Sequence, residues 1–585
     1  MDLLECRSVH CWILIRLPCE NGAAYIRKIF GAVNTSSHPM SLDLSVDEVR
    51  VQSVISHSKI HLDHAVDHDE AVILALGYKQ ELKRGLSMLT TFAVAFSTLG
   101  LLPSVAGTLW YSMAYTGAAG ITWVYLVAMA GIMCVALSMA EIASAFPTSG
   151  GLYYATAMLA PPKYKAFLSW FVGWSNYLTQ ITGGPSVGSS TAAMILALKQ
   201  MTDPSYEYHK WHAFLLATSI TVSCACIASM PVKWISYITR FTSLLNISFL
   251  FICWVVFLGG NTRAEQGLPK FNSNAQAWGI TNMTDWPDGM AVLMSFMAAI
   301  WIMSGFDAPF HLAEESTNAE IVTPNAIVLT AALGAVLGFA FQLGMAYTIV
   351  DVTAAVEGEL GQPFVSFLSQ VLTRDRTIAM AALAIVLSYI MDFSSMLAAS
   401  RVLYSYSRDG CIPLSRVWCR VNPYTRTPVN AVWFNWFVGE CLLCLMFKGE
   451  AINAVFSFGA TGAFVSFTVP IFLRITYARI TFKPGPWNLG RFSYVTGTVG
   501  CLFILLMLPV LCFPQFRGKN NTTDLMNWTS VVYWGAMLLV VLYWFAYGHT
   551  FFTGPRPNVG DLCRDEEGGN EKNEMDEVVQ PVKDI

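Results

Sequence analysis

One apolar run, residues 290–312, is long enough to cross a bilayer, yet it carries WIMSGFDAP (301–309) across its middle. A crossing takes about 20 residues. Gly305 and Pro309 cost a helix backbone order and hydrogen bonds. Within lipid, the groups so freed must be satisfied by protein, water or a ligand. Asp307 adds a carboxylate at a depth where ionisable groups are expensive and mark function. Two readings are open. Either this is a broken transmembrane helix whose open backbone and acid face a substrate cavity, or it is a Pro-kinked span with Asp307 paired to a neighbouring helix.

The rest of the chain supplies the setting. Of 585 residues, 54% are hydrophobic and 13% charged, and mean hydropathy is +0.49; soluble domains carry about 25% charged residues. Long apolar runs recur between residues 87 and 552, the pattern of an all-α polytopic membrane protein with about twelve transmembrane helices. A net charge of −4 gives no basic footprint for nucleic acid. The 14 cysteines are scattered mostly through apolar runs and do not make a secreted disulfide framework. Cys441 and Cys444 form a lone C-x-x-C inside a span and are expected to be packing residues. No nucleophile–base set or metal cluster stands outside the apolar runs, which disfavours an enzyme and implies no cofactor. No run lines a continuous polar pore, which disfavours a channel.

Spans are expected near 87–115, 121–146, 166–198, 213–230, 234–258, 290–312, 326–350, 378–404, 431–447, 452–475, 494–513 and 531–552. Residues 1–83 read as a disordered cytoplasmic tail and 553–585 as an acidic one, around a transporter domain at 84–552. Residues 1–39 differ in texture from the acidic, His-bearing stretch after them, so Met40 is expected to be the true start and the earlier residues an extension of the gene model. His57, His61, His64 and His68 crowd the first tail, and a solvated disordered tract explains them better than a metal site does. Basic residues cluster beside alternate loops: Lys79, Lys83 and Arg84, then Lys163 and Lys165, then Lys233 and Arg240, then Arg401 to Arg426, then Arg474 to Arg491. That bias puts both termini in the cytoplasm. The sequons at Asn282, Asn521 and Asn527 all fall on the opposite side and are candidate glycosylation sites.

The first span is interrupted too, by Ser97, Thr98, Gly100 and Pro103. Interrupted helices at positions one and six lie five spans apart, and an odd repeat length inverts the second copy. Repeat one then covers about 87–258 and repeat two about 288–475, with two extra helices at 494–552. Paired discontinuous helices in an inverted repeat point to a midplane transport site. The free N–H groups of one half-helix suit a carboxylate, and free carbonyls suit an ammonium or cation.

Four stretches carry a resemblance to a known family: AEIASAFPTSGGLYYATAMLAPPKYKAFLSWFVGWSN, SGFDAPFHLAEESTNAEIVTPNAI, ASRVLYSYSRDGCIP and NPYTRTPVNAVW. Over residues 82–552 the chain resembles the amino acid–polyamine–organocation superfamily of permeases. Its fungal amino acid/choline branch, which includes GABA and choline permeases, is the nearest likeness. The resemblance implies a LeuT-type 5+5 inverted repeat with discontinuous first and sixth helices. It places Ser97, Thr98 and Gly100 at the turn that cradles a substrate carboxylate, and gives the carbonyls of Ser304, Gly305 and Phe306 to the amine. Trp301 aligns with an aromatic gate. Asp307 stands where many relatives carry Glu, as a proton-coupling acid or a counter-ion to a substrate ammonium. Glu141 reads as a structural or inner-gate residue, and Glu314 and Glu315 as loop acids able to bridge to Arg401 or Arg408. Asn246 falls near the position of a coupling Lys in some relatives, so that device does not carry over. Ser394 and Ser395 are hydroxyls of a kind that usually bond backbone. The expectation is a secondary transporter in the plasma membrane importing an amino acid or GABA by proton symport. The alternatives are a choline or organic-cation permease, or a nutrient sensor that does not transport.

Overall fold

The computed structural model describes residues 68–556 apart from 79, 81, 83, 448–452 and 519–525. The expectations about Met40, His57, His61, His64, Asn521 and the acidic tail beyond 556 lie outside the described residues. In chain order the helices are α1 (His68–Ala75), α2 (Met88–Leu99), α3 (Leu101–Thr116), α4 (Trp123–Ala145), α5 (Gly151–Leu159), α6 (Lys165–Thr202), α7 (Lys210–Ala228), α8 (Val232–Gly260), α9 (Asn274–Trp278), α10 (Asp288–Ile302) and α11 (Ala308–His311). There follow α12 (Ala319–Thr348), α13 (Val352–Val356), α14 (Pro363–Val371), α15 (Arg374–Arg408), α16 (Ser415–Trp418), α17 (Val429–Leu443), α18 (Asn453–Ile475), α19 (Phe492–Val510), α20 (Thr529–Tyr543) and α21 (His549–Phe551). Among the described residues there is no strand, only an isolated bridge between Leu86 and Ser316.

Ten of these segments are long and apolar enough to cross a membrane. The first joins α2 and α3; the others are built on α4, α7, α8, α12, α15, α17, α18, α19 and α20. Two of the expected spans have a different make. The sixth is shortened by its break to α10, a 15-residue apolar helix, and the 4-residue α11. The third, α6, runs 38 residues, about 57 Å at 1.5 Å per residue. It contains Ser169, Ser175, Asn176, Thr182, Ser186 and Ser189, all buried. α6 packs on α15, α18, α5, α7 and α17, so its polar side chains meet protein rather than lipid. Its modest hydropathy is explained by that position. Gly183 and Pro185 do not break it: the helix runs through both, and Gly183 gives room to Ser395 of α15.

Burial separates an inner set of spans from an outer one. The first span is 94% buried and the tenth 83%, whereas the fourth, fifth and ninth are 33% and the twelfth 28%. A helix hydrophobic all round but mostly unburied by protein is one that faces lipid. Spans five apart pack on one another: α10 on α3, α12 on α4, α15 on α6 and α17 on α7. That is the pairing expected of two inverted copies about a shared axis.

Candidate substrate site

The first span breaks at a single residue. Gly100 takes φ 48°, ψ 63°, ends α2 by donating its N–H to Phe96 O, and starts α3 with no side-chain cap. Ser97 and Thr98 remain helical, and Pro103 sits in the first turn of α3, where a missing N–H costs nothing. The first N–H groups of α3 therefore open toward the break. In the sixth span α10 stops at Ile302 and a turn covers 303–307 before α11 begins. Gly305 there takes φ 100°. Its backbone lies against the other break: a Cβ on Gly305 would stand 2.8 Å from Thr98 Cγ2 and 3.2 Å from Leu99 N. The two discontinuities touch, and glycine at 305 is what lets them.

Beside this contact lies a cavity of about 70 Å³. In the same measure one water needs roughly 10–15 Å³, so several waters or a small solute fit. Thr98, Trp301, Ser304, Gly305, Phe306 and Asp307 line it, six of the residues expected from the sequence. Gln180, Thr182 and Ser395 add polar groups, and Phe464 and Phe467 an aromatic wall. Trp301 sits edge-on to Phe456 at 4.7 Å, and Phe306 is 5.6 Å from Phe467. Ser97 and Gly100 are not in the lining. Adjacent helix positions point about 100° apart, and Ser97 faces span five, its hydroxyl 2.9 Å from Ser243 Oγ. Gly100 instead admits the side chain of Met391, which a Cβ there would strike at 2.6 Å.

Among the described residues, Asp307 is the one carboxylate in the lining, and no Lys, Arg or His lines the cavity with it. Only 4% of Asp307 is exposed. Gln180 Nε2 donates to its Oδ2 at 3.4 Å, and His311 Nε2 lies 3.6 Å from the same oxygen. His311 was not expected from the sequence. It is wholly buried, with Asn176 Nδ2 at 3.3 Å from Nε2 and no hydrogen-bond partner on Nδ1 among the described residues. Asn176 Nδ2 in turn donates to Tyr406 OH at 2.9 Å. The i,i+4 spacing of Asp307 and His311 was the available signal. It was obscured because the intervening residues are Ala-Pro-Phe, which read as a kink.

A second polar layer closes the end of the bundle that bears the basic loops. Glu314 accepts two bonds of 3.0 Å from Arg408 and two more from the Ser149 amide (3.1 Å) and hydroxyl (2.7 Å). Burial pushes the Glu314 carboxyl up, but Arg408 and Ser149 outweigh it and hold it below the usual carboxylate range. Glu315 pairs with Arg401 at 2.8 Å. The expected bridge from these acids to Arg401 or Arg408 is thus formed twice, Glu315 with Arg401 and Glu314 with Arg408. Asp409 accepts from Tyr78 OH (2.8 Å) and Tyr153 OH (2.6 Å); burial raises its carboxyl despite Arg408 and both phenols. The segment before α2 joins the layer: Gly85 and Leu86 donate to Glu315 O, and Gln80 to Glu314 O. Glu141, closing α4, accepts from Ser493 of α19 and lies 3.6 Å from Arg474 of α18, so it ties three helix ends together.

Of the sequons, Asn282 uses its amide nitrogen on Trp286 O and Asp288, and Asn527 on Leu511 O and Phe513 O. Cys441 of α17 and Cys444, just past its end, are free and exposed, not the packing residues expected.

Residues 86–537 match the family described as amino acid permease. The chain belongs to that family. A Candida albicans protein named "Putative polyamine transporter" is 46% identical over 542 residues, covering 91% of this chain and 98% of its own. An uncharacterized amino-acid permease of Schizosaccharomyces pombe is 49% identical over 500 residues, 85% of this chain and 91% of its own. A rice protein named as an amino-acid permease BAT1 homolog is 31% identical over 510 residues, 84% of this permease and 96% of its own length. The permease is therefore an integral, multi-pass membrane transporter of small molecules, with the two broken helices around its central cavity.

Proposed function

We propose that this permease imports a small amine-bearing solute, a polyamine or an amino acid, across the plasma membrane by proton symport. The observation that carries the reading is the lone buried carboxylate of Asp307, in a cavity whose described lining offers no cation to balance it. Among the described residues Asp307 meets only the Gln180 amide at 3.4 Å and the His311 imidazole at 3.6 Å, and no permanent cation, so a substrate ammonium would supply the full balancing charge. The carbonyls of Ile302, Met303, Ser304 and Phe306 suit the same end of the substrate, whereas the Gly305 carbonyl already accepts the Ala308 N–H at 3.1 Å. A carboxylate on the substrate has less to meet. Ser97 is turned to Ser243, and Gly100 lies against Met391, which leaves Thr98 and the start of α3. The site thus favours a cationic amine over a zwitterion such as GABA. The names carried by the relatives, one a polyamine transporter and others amino-acid permeases, support an amine of this class.

Proton coupling is supported by two titratable groups, Asp307 and His311, in contact beside the cavity, with neutral Asn246 on span five. The aromatic wall of Trp301, Phe306 and Phe464 also suits a quaternary ammonium, because cations bind aromatic faces; choline is the second reading. The test is uptake of labelled putrescine, GABA, a neutral amino acid and choline into permease-deficient yeast at acid and neutral external pH. Saturable putrescine uptake that rises at acid pH supports the proposal. Uptake of choline alone moves the substrate to quaternary amines, and surface expression with uptake of none of the four refutes import of this class.

A further inference from the structure

A second buried polar site lies behind the first, where spans three, four, eight and nine meet. Asp392 of α15 has no exposed surface, and neither of its carboxyl oxygens has a hydrogen-bond partner among the described residues. It faces the two glycines of α6 that leave room for it: a Cβ on Gly184 would lie 3.5 Å from Oδ1, and one on Gly188 3.8 Å from Oδ2. The same Gly188 position abuts Thr221 of α7 at 3.0 Å. Thr221 donates to Glu440 of α17 at 2.5 Å, and Thr218 donates to the other Glu440 oxygen at 2.7 Å. A cavity of about 20 Å³, room for one water, opens among Gln180, Gly184, Thr221, Asn435 and Glu440. Asn435 is 5% exposed, lines this cavity, and leaves its amide nitrogen without a partner among the described residues.

The two acids differ in what surrounds them. Glu440 accepts from two hydroxyl donors, Thr218 and Thr221. Asp392 has no N–H or O–H donor, and a bare carboxylate at that burial must be neutralised. A proton supplies that neutralisation without a coordination shell. The titratable groups facing Asp392 are Cys224 on span four, Glu440 on span nine and Tyr389 one turn back on its own helix, while span three presents glycine. Gln180 borders both this cavity and the substrate cavity, and its amide donates to Asp307.

We propose that Asp392, with Glu440 and the one-water cavity on the far side of Gly184, is the proton-binding site that couples transport, communicating with Asp307 through Gln180. The inference rests on the proton-symport reading and names where the proton sits. An O–H bond on Asp392 forms when the site faces the acidic side and breaks when it faces the other, the proton passing by way of the cavity water and Glu440. Asp392→Asn fixes the neutral state. It is expected to keep substrate counterflow across the membrane while losing both accumulation and the rise of uptake at acid pH. Glu440→Gln, further from the helix packing, is expected to blunt the same pH response. An independent readout is infrared spectroscopy of the purified protein at neutral pH, in which a protonated-carboxyl C=O band present in the parent should vanish in Asp392→Asn. Acid stimulation and accumulation equal to the parent in both variants, or an unchanged infrared band, overturns the assignment alone. A parent whose amine uptake ignores pH overturns this site and proton symport together, and a parent with no amine uptake overturns the substrate reading.

Discussion

Replacing Gly305 with alanine tests whether contact between the two helix breaks is what builds the site. Residue 305 holds φ 100°, where an L side chain costs about 1–2 kcal/mol. The added Cβ would also stand 2.8 Å from Thr98 Cγ2 and 3.2 Å from Leu99 N. The methyl can yield, but the backbone nitrogen cannot without moving α2. Together these effects amount to roughly 2–3 kcal/mol, or a loss of about 30- to 140-fold in the population of the formed site at about 1.4 kcal/mol per decade. Uptake by Gly305→Ala should fall on that scale, and the purified protein should melt earlier. Gly289→Ala is the control, since it lies in the first turn of α10 with nothing within 4 Å of the new methyl; it should match the parent. If Gly305→Ala transports and melts like the parent, the breaks are not held together as described.

Ser97→Ala and Thr98→Val separate the two hydroxyls of α2: only Thr98→Val should change the apparent substrate affinity, because Ser97 bonds Ser243 and is absent from the cavity. Arg401→Met strands Glu315 in a pair that is 1% and 3% exposed, so thermal stability should drop by about 3–5 kcal/mol, with partial recovery when Glu315→Gln is added. Glu314 is held below its ordinary value of 4.5. Its charge therefore stabilises the fold fully above that value, and the contribution is lost as pH falls through the lower folded value. In thermal melts against pH, Glu314→Gln should be destabilised at neutral pH and should lack that part of the acid limb.

The interruptions at Gly100 and Gly305 were legible in sequence because glycine and proline inside an apolar run have few meanings. So were the bridges of Glu314 and Glu315 to Arg408 and Arg401, since acids and bases at the ends of neighbouring spans must find partners. Side-chain direction was less legible. Ser97 and Thr98 look equivalent in a string, but only one can face the cavity. α6 fails a hydropathy test because helices, not lipid, surround it. His311 is not legible because it belongs to a 4-residue helix that no periodicity marks. Asp392 could be seen as an acid in a span, but its isolation from N–H and O–H donors is a property of the packed bundle.

The most direct test of the central claim is equilibrium binding of labelled putrescine to purified permease and to its Asp307→Asn variant, beside a thermal melt of each. The account predicts at least about a tenfold loss of affinity in the variant, the effect of removing a buried charge partner worth about 1.4 kcal/mol or more, with the fold intact. Equal affinity in a folded Asp307→Asn protein would contradict it.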